Sequence, residues 1–295
     1  MPASQEARRR RLARAQARGY EVGNCASGKK RMFAKLNHLA ITSDLYASNA
    51  RFYMALFGMK GSSNARPARA MPVGDGQIGL NNIPRREGRR SGLDHFGFEV
   101  ESMQLTLERM KAFDPTLQWV VRPSQRPNAA VSAHDPDMII FDLAERNSGK
   151  AKDIFAENNW EQQRYINHIT LRCRNIDRSA EFYAQVFELK AEKRDGAWYL
   201  SDGRVCLVIL QWTMENFIGH DPLPPQIDHF GFKVESIEAL RRDMDEIIGY
   251  NPQFVTKPLG YGEEGKARFD LFKQCPMGEF HLTDLEGVYI DVTEK

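Results

Sequence analysis

The sequence predicts an α+β fold of four βαβββ-like units arranged as two tandem pairs. Three observations predict it. The segment Leu36-Asn37-His38-Leu39 recurs as Ile166-Asn167-His168-Ile169, and Leu93-Asp94-His95-Phe96-Gly97-Phe98 recurs as Ile227-Asp228-His229-Phe230-Gly231-Phe232. Each pair is followed by a closing apolar segment that holds an aspartate, Phe141-Asp142-Leu143 and Ile290-Asp291-Val292. The pattern Phe52-Tyr53-x-x-Leu56-Phe57 returns as Phe182-Tyr183-x-x-Val186-Phe187, at the offset of 130 residues that also separates His38 from His168.

The elements follow in order. Residues 36–42 are apolar and β-branched, as a strand requires. Residues 45–57 carry a helical stripe that includes Phe52, Leu56 and Phe57, and Gly58 is placed to cap it. An Asp75-Gly76 turn leads into a short strand at 78–80. The second unit starts at Leu93, continues through a helix near 103–113 and a strand at 119–121, and closes on 138–143. In the second half the strand is 166–171, the helix 180–189, and the turn Asp202-Gly203 precedes a strand at 205–207. The fourth unit runs from Ile227 through a helix at 237–248 to a closing strand at 288–292. The expected division is a basic tail at 1–31, a first domain at 32–147, a linker at 148–163 with a short helix near 153–160, and a second domain at 164–295.

Composition narrows the function classes. The 295 residues are 42% hydrophobic and 27% charged, as in a soluble globular protein. No apolar run approaches the roughly 18 residues of a membrane-spanning helix, so no membrane role is expected. Residues 1–31 hold nine Lys/Arg against two Glu; with a net charge of +2 for the chain, the rest is acidic. An acidic body argues against nucleic acid as a partner. The tail reads as a solvated extension, with Met32 as an alternative start. Four widely spaced cysteines (Cys25, Cys173, Cys206, Cys275) with no CxxC pair favour a reduced, cytoplasmic protein.

Two histidines and one carboxylate, each set written twice, is the composition of a metal site. Strand alternation places His38 on one face with Leu36, Ala40 and Thr42, and Leu39 and Ile41 on the other. His95 shares its face with Gly97, and His229 with Gly231, which leaves open space beside each imidazole.

With the FYxx[LV]F helices and the DHFGF strands in place, residues 33–295 resemble the vicinal oxygen chelate superfamily, of the glyoxalase, bleomycin-resistance and extradiol dioxygenase type. The resemblance implies two glyoxalase-like domains with curved mixed sheets, each cupping one divalent metal. It implies His38, His95 and Asp142 as one ligand set and His168, His229 and Asp291 as the other. Where the superfamily usually has glutamate, both halves carry aspartate. The additional glutamate of glyoxalase I aligns with Gly79 in the first half and Cys206 in the second, so three protein ligands are expected. That arrangement suits Fe(II) and oxygen chemistry. His281, Tyr261 and Tyr289 near the second closing strand make the second half the favoured centre, with acid/base or oxyanion roles; the first half offers His134.

The expectation is an Fe(II)-dependent dioxygenase acting on a small aromatic, catechol-like or enolic molecule with O2. The alternatives are a glyoxalase-like lyase, isomerase or epimerase using Mn, Ni, Zn or Co, and a non-catalytic ligand-sequestering protein. Assembly into a homo-oligomer is left open. Residues 260–265 fit GxGxxG, but two glutamates and a strand-like 267–272 argue for a hairpin or lid loop rather than a dinucleotide site.

Overall fold

The computed structural model describes residues 33–61, 70–122, 128–148, 163–217, 224–257 and 262–294. The tail, the expected linker helix near 153–160 and Tyr261 lie outside them. Two open mixed sheets carry the described chain. The first contains β1 (Ala34–Ser43), β2 (Lys60–Gly61), β3 (Met71–Gly74), β4 (Gly79–Pro84), β5 (Gly92–Val100), β6 (Trp119–Val121), β7 (Val131–His134) and β8 (Ile140–Glu145), in the order β2-β3-β4-β1-β5-β8-β7-β6. Its helices are α1 (Tyr46–Phe57) and α2 (Met103–Phe113). The second contains β9 (Tyr165–Cys173), β10 (Lys190–Arg194), β11 (Ala197–Ser201), β12 (Cys206–Gln211), β13 (Gln226–Val234), β14 (Phe280–Thr283) and β15 (Tyr289–Glu294), in the order β10-β11-β12-β9-β13-β15-β14. Its helices are α3 (Ile176–Phe187), α4 (Ile237–Tyr250) and α5 (Gly262–Phe272).

Each sheet is built from two units joined through the antiparallel pairs β1/β5 and β9/β13, so the four-unit expectation holds. Gly58 ends α1 in the left-handed conformation and its N–H bonds the Met54 carbonyl. Helix α3 starts four residues earlier than expected, because the Asn175 side chain accepts from the Arg178 N–H and caps it there. One expectation fails outright. Residues 267–272 are helical, not extended, and belong to α5. Glu263 and Glu264 sit in its first turn, where they suit the positive end of the helix dipole, and Phe269 and Phe272 repeat at a helical interval rather than alternating.

The helices do not serve their own sheet alone. Phe57 of α1 stacks on Phe232 of the second sheet at 3.7 Å, and Phe187 of α3 stacks on Phe98 of the first at 4.1 Å. Burying aromatic rings this way is a large hydrophobic contribution with favourable geometry added. One apolar core consequently runs through both halves. Polar bonds repeat the exchange. Tyr53 donates to Asp284 and Tyr183 to Asp135, while Asp75 accepts from the Ile166 N–H and Asp202 from the Leu36 N–H, both at 2.8 Å. Each of these four aspartates also holds its own turn through backbone N–H groups.

Burial pushes the Asp135 carboxyl up to about 7 and Asp284 up to about 6, against the bonds they accept. A carboxyl whose folded pKa lies above its unfolded value stabilises the fold at low pH and loses that contribution as pH rises towards the folded pKa. Asp135→Asn removes this dependence. Between pH 4 and 7 the variant's stability relative to the parent is expected to rise, with a slope of at most about 1.4 kcal/mol per pH unit. Urea unfolding across that range measures it; a difference independent of pH is the contrary result.

Candidate metal centre

Both ligand sets are laid out as one row across five strands. In the first half, Gly79 on β4 pairs with His38 on β1, His38 with Gly97 on β5, Gly97 with Asp142 on β8, and Asp142 with Ser132 on β7. In the second half the row is Cys206 on β12, His168 on β9, Gly231 on β13, Asp291 on β15 and His281 on β14. His95 and His229 stand two residues before the central glycine. That glycine is obligatory: a β-carbon at Gly97 would overlap the His38 ring, and one at Gly231 the His168 ring. The ligating atoms of His38, His95 and Asp142 lie within 4.8 Å of one another, as do those of His168, His229 and Asp291.

A β-bulge precedes each of His38, His95, His168 and His229. The pairing skips Asn37 and Asp94 in the first sheet, and Asn167 and Asp228 in the second. The unpaired residue breaks strict alternation and brings its side-chain oxygen to the neighbouring imidazole. Asn37 and Asn167 meet Nδ1 of His38 and His168 at 2.7 and 2.8 Å; Asp94 and Asp228 meet Nδ1 of His95 and His229 at 2.6 Å. A carboxylate only accepts, so Nδ1 of His95 and His229 carries the proton, and with an amide oxygen in the same place His38 and His168 take the same tautomer. That leaves Nε2 in all four as the nitrogen that a metal would meet. The bulges also correct the alternation expected for β1, since Leu36 joins Leu39 and Ile41 in the core. These four residues were visible in the repeated motifs, but a strict two-residue period sends them to the far face.

The second set fits a cation. Nε2 of His168, His229 and His281 and both carboxylate oxygens of Asp291 are buried without a hydrogen-bond partner. Oδ2 of Asp291 lies 2.9 Å from His229 Nε2 and 3.5 Å from His168 Nε2, and its Oδ1 lies 3.2 Å from His281 Nε2. Donors about 2.0–2.2 Å from one metal are expected at about 3 Å from each other. Buried lone pairs facing one another would each forfeit solvation, and a divalent cation held by His168, His229 and Asp291, whose donor atoms converge, satisfies those of these three residues. In its absence a proton takes that place. Burial acts to lower His229, but Asp291 and Asp228 outweigh it and bring the imidazole up to about 9. Asp291 is held below the usual carboxylate range by His229 and His168 despite its burial. Burial leaves His168 and His281 below their ordinary value. Behind the site, Arg172 pairs with Asp228 at 3.3 Å; with His229 it overcomes burial and brings that carboxyl down to about 2.

Of the expected acid/base groups, His281 reaches Asp291 and Tyr289 lies on the same face of β15, its ring stacked on Phe272 at 4.5 Å. Phe272 of α5 also meets the edges of His229 and His281 at 4.9 and 4.8 Å, so a helix rather than a loop covers this cup. Ala197, Tyr199 and Val208, with Cys206, Leu210 and Met277, form a separate apolar wall beside the row. Burial pushes the Cys206 thiol up to about 12, which keeps it protonated. His134 does not occupy the position that His281 has in the second half: its Nε2 accepts from the Gln118 N–H, and Ser132 stands opposite Asp142 instead. Sequence reading missed Ser132 by matching His134 to His281 as histidines, although Ser132 and His281 both stand ten residues before their aspartates.

The pattern of a family described as Glyoxalase/Bleomycin resistance protein/Dioxygenase superfamily matches residues 35–143 and 165–273. No curated protein matches the sequence. Among solved structures, the fold is similar to a Mn(II)-bound glyoxalase from Novosphingobium aromaticivorans (13% identity, TM-score 0.59, 90% of this chain and 82% of that one). It is similar to the 2,3-dioxygenase LapB from Pseudomonas sp. KL28 (13%, TM-score 0.59, 88% and 92%). It is also similar to a xylose isomerase-like TIM barrel/4-hydroxyphenylpyruvate dioxygenase fusion protein at 18% identity and TM-score 0.56, where it covers 98% of this chain and spans 53% of that one. At such identities the likeness shows the fold alone.

Removing the carboxylate behind His229 is expected to weaken metal binding. Asp228→Ala should raise the dissociation constant of the second site by about 10–100-fold, measured by competition with a chelator of known affinity. Gly231→Ala should abolish binding there, since the new methyl displaces the His168 ring.

Proposed function

This chain belongs to the Glyoxalase/Bleomycin resistance protein/Dioxygenase superfamily, and on that premise we propose that its second half is the metal centre of a cytoplasmic Fe(II)-dependent dioxygenase. The observation that carries the reading is a two-histidine, one-aspartate set with no fourth anionic ligand among the described residues. His168, His229 and Asp291 would hold the metal, while the position paired with His168 is Cys206, a protonated thiol. Three donors on one face leave positions for substrate oxygens and O2. When bound, the metal supplies Lewis acidity that favours an ionised, chelated substrate hydroxyl.

The chain's own groups do the rest. His281 is placed to accept the proton of a substrate hydroxyl on its Nε2 lone pair, because burial keeps that imidazole neutral at physiological pH. The buried Tyr289 hydroxyl is available to orient a substrate oxygen. The wall of Tyr199, Val208, Leu210 and Met277 suits the flat apolar body of a small aromatic or enolic molecule. Phe272 over the ligand histidines limits water at the centre.

A second reading draws on the same histidine. A neutral base beside three metal ligands also suits proton transfer in a glyoxalase-like isomerase or lyase loaded with Mn, Ni, Zn or Co. Protein loaded with Fe(II) under anaerobic conditions and mixed with aerated buffer is expected to consume oxygen with a catechol or a hydroxyphenylpyruvate. Asp291→Ala should reduce that uptake at least about 10³-fold, as loss of an essential electrostatic group does. Absence of uptake alongside turnover of a hemithioacetal or enolisable ketone by the Mn- or Ni-loaded protein overturns the dioxygenase reading. Absence of any metal at His168, His229 and Asp291 overturns both enzymatic readings and leaves ligand sequestration.

A further inference from the structure

We propose that the second cup selects an acidic substrate, and that Arg268 of α5 binds the carboxylate such a molecule carries at the end remote from its chelating oxygens. The inference rests on the second half holding a metal for a small aromatic or enolic molecule, and it names the class within that reading. Helix α5 brings two residues, one turn apart, to the same place. Phe272 meets the rings of His229, His281 and Tyr289, and the Arg268 guanidinium lies 4.9 Å from the centre of the Tyr289 ring. Tyr289 shares a face of β15 with Asp291, two residues on, so it stands roughly 7 Å along the strand from that ligand. A guanidinium over this ring therefore lies at the far end of a molecule held at the metal, away from the chelating atoms.

The positive charge of Arg268 has no counter-charge among the described residues. Its Nε is buried and donates to no acceptor there, and no carboxylate among them lies within 4.0 Å of the guanidinium. Other cations nearby are balanced: Arg172 pairs with Asp228 at 3.3 Å, and Lys273, just past α5, pairs with Asp270 at 2.6 Å. Glu264 stands four residues before Arg268, the spacing at which glutamate and arginine pair along a helix, yet it stays exposed and apart from it. Arg268 turns instead over Tyr289 and beside its hydroxyl, a neutral group that leaves the charge in place. A half-buried cation without a counter-ion is costly, and an anionic ligand removes that cost.

The groups present define what fits. An arginine fork offers two parallel N–H donors that match a carboxylate, and the Tyr289 hydroxyl adds an O–H. One cation and one neutral donor balance a single negative charge, which suits a carboxylate rather than a phosphate dianion. Phe272 lies between the ligand histidines and Tyr289, and the wall of Tyr199, Val208 and Met277 stands beside the row, so the middle of the molecule is apolar. Among the described residues this device belongs to the second half alone, since the first sheet has no helix between α2 and β7.

Calorimetric binding to the Zn(II)-loaded full chain tests it with dihydrocaffeate, a catechol bearing a propionate, and with its carboxamide, which differ in charge at the remote end. The acid is expected to bind about 10–100-fold more tightly than the amide, as charge-assisted hydrogen bonds provide. Arg268→Gln should erase that preference by weakening the acid, and Arg268→Lys should restore part of it. Glutamine has nearly the helix propensity of arginine, and circular dichroism with thermal unfolding checks that the variant folds. Equal affinity for acid and amide in the parent, or a preference that survives Arg268→Gln, overturns the proposal. Phenylpropionate and phenylpropionamide, which cannot chelate, are measured on the metal-free chain. An Arg268-dependent preference for that acid supports the carboxylate site even where no oxygen is consumed and the dioxygenase reading fails. Oxygen uptake by the Fe(II)-loaded chain at equal kcat/KM for dihydrocaffeate and its carboxamide leaves the dioxygenase reading in place and overturns this one.

Discussion

A metal-ligating imidazole on a β-strand has to meet two demands that a regular strand refuses. One nitrogen must be tethered so that the other points at the metal, and the strand next door must leave room for the ring to lean over it. The chain meets the first with a bulge before each histidine, which brings Asn37, Asp94, Asn167 or Asp228 to Nδ1. It meets the second with Gly97 and Gly231, the central members of the two rows. Once the glycine lies between histidine and aspartate, the distance across the row is fixed by the spacing of strands, about 4.8 Å per step. Aspartate in place of glutamate is compatible with this geometry, because the second row already brings carboxylate and imidazole within 2.9 Å.

Such rows need a rigid frame, and the frame is shared. The N–H groups of Leu36 and Ile166, each one residue before a bulge, are held by aspartates of the opposite half, Asp202 and Asp75. These aspartates also close the turns that lead into β12 and β4, the strands that flank His168 and His38. One carboxylate thereby fixes a turn in its own half and a strand in the other. Phe57 on Phe232 and Phe187 on Phe98 seal the arrangement from the core side, directly behind the Asp-His-Phe-Gly-Phe strands. Displacing either helix would therefore disturb the ligand strand of the half to which it does not belong. Core aromatic truncations cost about 3–5 kcal/mol, a large part of typical net stability.

Much of this was legible in the chain because the repeats are written in residues that have few structural substitutes. Gly58 as a cap, the Asp-Gly turns and the four histidine strands all lie where the sequence places them. The ligand rows followed from matching the closing aspartates. Other parts were not legible. Alternation misplaced Leu36 and hid the tethering Asn and Asp residues, since a bulge has no sequence signature here beyond the polar residue itself. Residues 267–272 read as a strand, whereas Phe269 and Phe272 belong to the inner side of a helix. The exchange of helices between halves is invisible to any local pattern, because it depends on which sheet each apolar face meets. Ser132, by contrast, was legible: it stands ten residues before Asp142 as His281 does before Asp291, and the pairing of β7 with β8 places it, not His134, opposite that carboxylate.

The two rows differ only at their ends, and the ends decide the chemistry. At one end Gly79 is replaced by Cys206, which adds bulk and extends an apolar wall through Val208 and Tyr199. At the other, Ser132 with Arg122 is replaced by His281 beneath Phe272. A serine hydroxyl that donates to the carboxylate can only hold it still. A half-buried imidazole that burial holds below its ordinary value would, on the proposed reading, also take up a proton and pass it on, under the aromatic ring that lies against it. The first row accordingly combines fixed ligands with access to solvent, whereas the second adds a base, a wall and a cover. On the proposed reading, metal affinity would depend mainly on the row centre, which the halves share. Proton transfer would depend on the row ends, which they do not, and that difference rather than the ligands themselves would set the reactive half.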